Sequence, residues 1–102
     1  MKSRVPVPHV LVCGKTYAVR WFASSGEVTD LGRCVPRHQR LDLSPDQTLE
    51  SMQDTLLHEV LHALSNELRL ELEEGQVQRL AVGLLDVLWH NPKFTAWLLE
   101  RS

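Results

Sequence analysis

Cysteine is scarce. Only Cys13 and Cys34 occur in the 102 residues, too few for the dense disulfide framework that staples small secreted domains. Neither lies in a Cys-x-x-Cys pair and no ligand-like spacing surrounds them, so the expectation is two reduced, buried thiols with no metal role. An excess of positive charge is also missing, since 11 Lys and Arg against 13 Asp and Glu leave a formal charge of -2. Without a broad basic field the chain is not drawn to phosphate backbones, which excludes nucleic acid as the default partner. No apolar run approaches the ~20 residues of a membrane-spanning helix. The opening MKSRVPVPHVLVCG has basic residues followed by an apolar run, but two prolines and its shortness argue against a signal peptide. The expected setting is cytoplasmic, with no membrane partner. Internal repeats and low-complexity segments are absent.

What is present suits one globular domain spanning residues 1–102, because 43% of the residues are hydrophobic and 24% charged. PHVLVCGKTYAVRWF, from Pro8 to Phe22, reads as a β-hairpin turning at Gly14-Lys15. A polar connection, ASSGEVTDLGRC, follows. Alternation at Arg40, Leu41, Asp42 and Leu43 predicts a third strand, placed at a sheet edge. Ser44-Pro45-Asp46-Gln47 has the chemistry of a helix start, so a first helix is expected over about 45–67. Its stripe of Leu49, Met52, Leu56, Val60 and Ala63 should face the strands. A second helix, about 73–89, carries Val77, Leu80, Ala81, Leu84, Leu85 and Leu88 toward the first. After Asn91-Pro92 a short helix over about 93–100 should cover apolar surface with Phe94, Trp97 and Leu98. The fold class is therefore α+β: about three strands, two main helices and a short C-terminal one.

Within the first helix stands HEVLH. His58 and His62 are separated by one helical turn, so both imidazoles can reach one ion, and Zn2+ is the natural candidate. Glu59 beside them fits a general base that takes a proton from metal-activated water, which would then attack a peptide carbonyl. With five histidines and eight glutamates, the pattern arises by chance in about two such chains per hundred. Its weight comes from its position, in phase on a capped helix and nearly opposite the core stripe. A zinc site of this kind takes three protein ligands. Glu73 and Glu74, at the start of the second helix, both project toward the first; Glu74 is preferred and Glu73 stands second. Tyr17, His9, His38 and His90 are read as a core aromatic and surface groups, not as oxyanion stabilisers.

These segments resemble the compact zincins with a glutamate third ligand, including the bacterial ImmA/IrrE-type and minigluzincin-like metallopeptidases and their small phage-encoded relatives. The resemblance covers about Gly32 to Pro92 and rests on QRLDLSPD, DTLLHEVLHALS and LEEGQVQRLAVGLLDVL. It implies a zincin-like fold and a zinc-dependent peptidase acting on a peptide or protein, in a bacterial or phage-infected cell. His58, His62 and Glu74 would be ligands, and Glu59 the base and acid. Arg40, Leu41, Asp42 and Leu43 match the strand that borders the cleft and pairs with an extended substrate. Gln76 departs from the pattern, standing where many relatives carry a second acid. The alternative is a zinc-stabilised, catalytically inactive interaction protein with the same fold.

Overall fold

The computed structural model describes residues 4–22 and 30–101. β1 (His9–Val12) and β2 (Lys15–Trp21) form the expected antiparallel hairpin, with Val12 opposite Lys15. The turn is Cys13-Gly14, and both residues have positive φ, 50° and 81°, as a two-residue type I′ loop requires. Cys13 is therefore exposed, not buried as expected, while Cys34 is half-buried; both thiols are free.

Among the described residues the sheet has four strands. Part of the connection expected to be irregular forms β3 (Gly32–Val35), which leads through a 3-10 turn at Pro36–His38 into β4 (Arg40–Leu43); residues 23–29 of that connection lie outside the described residues. The order is β1-β2-β4-β3. β4 runs parallel to β2, with Ala18 opposite Arg40, and antiparallel to β3, with Cys34 opposite Leu41. This corrects the sequence reading of Arg40, Leu41, Asp42 and Leu43 as an edge strand that receives substrate. Both backbone edges of β4 are taken, Leu41 and Leu43 are wholly buried, and buried Asp42 accepts from Arg33 at 3.0 Å and Arg40 at 2.8 Å. The edge strands are β1 and β3, and β3 is the one beside β4.

α1 (Leu49–Leu68) starts four residues later than expected, capped by Thr48, whose Oγ1 accepts from the Ser51 N–H. Ser44 does not open the helix: its N–H continues the ladder to the Leu31 carbonyl, its Oγ accepts from the Asp46 N–H at 3.3 Å, and its carbonyl accepts from Gln47 Nε2 in place of a helical N–H. Gln47 then spans the gap. Its Nε2 donates to the Ser44 and Leu31 carbonyls, and its Oε1 accepts from Ser51 and Thr55. The expected stripe holds from Met52 onward: Met52, Leu56, Val60 and Ala63 pack on Val12, Tyr17, Val19, Leu41 and Leu43, whereas Leu49 is exposed. Each side chain fully buried there contributes roughly 1.5–3 kcal/mol. Tyr17 belongs to this core, and its hydroxyl donates to Glu67 Oε2 at 2.6 Å. Burial, reinforced by Glu67, pushes that phenol up to about 12.

α2 (Glu74–His90) folds back antiparallel to α1, and Val77 and Ala81 pack against Leu57, Leu61 and Leu64. Leu80 and Leu84, expected in the same seam, are exposed on its flank. α3 (Pro92–Leu98) buries none of its residues, so Phe94, Trp97 and Leu98 do not cover the apolar surface as the sequence suggested. No described helix is long and apolar enough to cross a membrane.

Candidate metal centre

α1 presents three faces to three surroundings. The sheet takes one and α2 another; His58 and His62 occupy the side between α2 and β3, half-buried. Their Nε2 atoms stand 3.2 Å apart, and the ring centroids 4.9 Å apart. The short connection after α1, with Arg69 and Glu71 both at positive φ, returns the chain so that α2 opens beside them. Glu74, its first residue, places Oε1 2.5 Å from His58 Nε2 and Oε2 2.8 Å from His62 Nε2.

These three groups converge on one volume, with ligand atoms all within 4.8 Å of one another. Donors at ~2.0–2.1 Å from a tetrahedral zinc ion stand about 3.3 Å apart, close to the spacing of the two imidazole nitrogens. The donor set also suits a cation. Each Nε2 faces the Glu74 carboxylate: as an N–H it donates to that carboxylate, and as a bare nitrogen it joins it in offering lone pairs to one point, the donor set of a divalent cation. The two histidines outweigh partial burial and hold Glu74 below the ordinary carboxylate range. Its side chain is 69% exposed, so the group opens to solvent.

Glu73 does different work. It occupies the N-cap of α2 in a reciprocal capping box: its side chain accepts from the Gln76 N–H, and its own N–H donates to Gln76 Oε1 at 2.8 Å. Glu73→Ala is accordingly expected to lower stability by ~0.5–2 kcal/mol with zinc stoichiometry unchanged. Denaturant unfolding and metal analysis check the two halves separately.

Glu59 points from α1 toward β3 and is buried, at 7% exposure. Burial pushes its carboxyl up to about 7; Glu74 and Asp30 add to the rise, while His58 and the Cys34 backbone N–H oppose it. Gly32 makes this approach possible. A Cβ there would strike Thr55 Cγ2 and come within 3.2 Å of Glu59 Cγ and Oε2. Two concavities flank the group. One, of about 550 Å³, runs past Arg33, Cys34 and Pro36 to His62; the other, of about 320 Å³, runs past Leu31, Thr55 and Gln78 to His58. Asp30, Gly32, Glu59 and Glu74 line both, so one cleft follows β3 with Glu59 and the histidine pair near its middle.

Sequence reasoning missed Asp30, Gly32 and Cys34 as cleft residues, and read Arg33, with Arg37 and Arg40, as a solvated basic cluster that could meet an acidic substrate. The available signal was Gly-Arg-Cys-Val ahead of Pro36, a short β-compatible run set between a glycine and a proline. Tyr17, His9, His38 and His90 line neither concavity, and the three histidines are exposed. Comparison with family models, with characterised proteins and with solved structures finds no match to the chain.

Proposed function

We propose that this protein is a zinc-dependent peptidase of zincin-like fold, acting on extended peptide segments. The observation that carries the reading is the meeting of His58 Nε2, His62 Nε2 and the Glu74 carboxylate at one point, with the buried carboxylate of Glu59 beside it in an open cleft. His58, His62 and Glu74 are the ligands. Zinc held there supplies Lewis-acid chemistry, lowering the pKa of water toward neutrality and polarising a carbonyl. Three protein ligands opening on a cleft fit a catalytic ion; a structural zinc closes its shell with four.

The chain's own groups do the rest. Glu59 accepts a proton from the attacking water and delivers it to the departing amine, so one carboxylate serves as base and then acid. The Cys34 N–H donates to that carboxylate and fixes its direction. β3 is paired with β4 on one side, and its other edge can accept an extended peptide by strand addition, main chain against main chain. That would lay the scissile bond across the histidine pair. The bacterial or phage-infected cytoplasm suggested by the sequence resemblance belongs to the same proposal.

Mass spectrometry of peptide mixtures incubated with the zinc-loaded protein tests this directly. Cleavage is expected, should stop on chelation and should return on adding zinc. Cleavage that persists under a strong chelator would exclude the metal from the reaction.

A further inference from the structure

Away from the candidate metal centre, the start of α1 and the end of α2 flank a further, open groove of about 580 Å³. Leu49, Val82, Leu85 and Trp89 make it apolar, and three carboxylates, Glu50, Asp54 and Asp86, surround it. His90 Nδ1 lies 3.2 Å from Asp86; among the described residues no Lys or Arg lines it. Such a site favours an apolar segment flanked by positive charge.

The same chain carries a segment of that description. α3 and the residues after it present Phe94, Trp97 and Leu98 between Lys93 and Arg101, with Glu100 the single acid. No residue of α3 is buried, and Trp97 is 68% exposed. The groove ends at Trp89 and His90, and α3 begins two residues later at Pro92. Knob and hole are thus adjacent, so a two-fold axis near Asn91 lets each copy offer its α3 to the other's groove, the isologous arrangement of a closed dimer. The surface is large enough. At ~150–250 Å² per aromatic side chain, Trp89 and Trp97, 78% and 68% exposed, alone offer on the order of 300 Å² of the ~800 Å² per partner in a standard interface. Leu49, Val82, Phe94, Leu98 and Leu99, each at least 45% exposed, enlarge it.

We infer that the protein forms a two-fold dimer in which α3 of each copy occupies the apolar, acid-rimmed groove between α1 and α2 of the other. Light scattering and sedimentation of the full chain, from micromolar to near-millimolar concentration, test the exchange. Wild type should have twice the 11.7 kDa mass of one chain, and Trp97→Ala should weaken the dimer at least ~30-fold. Two charge-reversed forms, Glu50→Lys with Asp86→Lys and Lys93→Glu with Arg101→Glu, should each be monomeric, with circular dichroism matching wild type. Mixed together they should form a dimer containing one of each, because both exchanged contacts then regain opposite charges. A wild-type monomer at every concentration would overturn the inference, including the case in which the groove binds only a foreign protein. So would a Trp97→Ala dimer of undiminished strength, or two reversed forms that stay monomeric when mixed.

Discussion

Replacing Glu59 with glutamine is expected to lower peptide hydrolysis by ~10²–10⁴-fold, the usual contribution of a positioned general base, while leaving zinc bound. The substitution keeps the shape of the side chain. A glutamine carbonyl can still accept from the Cys34 N–H that now meets Glu59, and the packing against Gly32 and Thr55 is preserved. What it removes is the capacity to take a proton. Since Glu59 is absent from the group that converges on the proposed ion, metal content should match wild type. Steady-state cleavage and metal analysis on the same preparation separate the two effects. Wild-type turnover with glutamine at position 59 would remove the residue from the chemistry; lost metal would mean that Glu59 belongs to the shell.

The ligands should behave in the opposite way. His62→Ala and Glu74→Ala each delete one of three converging donors, and both are expected to weaken zinc by at least ~100-fold, since groups one shell further out already cost 10–100-fold. The consequence reaches stability. Zinc at a hundred times its dissociation constant stabilises the native state by ~2.7 kcal/mol, a rise in Tm on the order of 10 °C for a domain of this size. Wild type and Glu73→Ala should show that zinc-dependent rise, and His62→Ala and Glu74→Ala should lose it. Differential scanning calorimetry with and without zinc reads this directly. An undiminished shift in Glu74→Ala would place the third ligand elsewhere.

The parts of the site legible in the sequence were those fixed by local geometry. His58 and His62 share a face because one helical turn separates them, and no tertiary information is needed to say so. Choosing between Glu73 and Glu74 required knowing where α2 begins: a shift of one residue turns a side chain by about 100°. Glu73 takes the N-cap and Glu74 the first helical position. The strand order was illegible for a different reason. Parallel pairing of β2 with β4 joins residues about 22 apart, Ala18 with Arg40 among them, and nothing in either four- to seven-residue run specifies that neighbour. β4 therefore read as an edge when it is interior, and the edge strand beyond it, β3, hid in a connection. Ser44 misled in a similar way. Its local chemistry is that of a helix cap, but its N–H pairs with the Leu31 carbonyl and its own carbonyl is taken by Gln47 Nε2, and Thr48 caps α1 instead.

In the proposed site, two imidazoles from one helix and a carboxylate from the next hold a single zinc ion. Zinc-edge X-ray absorption on protein loaded with one equivalent tests it most directly, because Cys34 lines the same cleft and a sulfur ligand would be seen at a distance of ~2.3 Å. The predicted spectrum shows two imidazole shells and oxygen donors near 2.0–2.1 Å, with no sulfur. A sulfur shell, or protein that leaves the zinc in solution, would contradict the account.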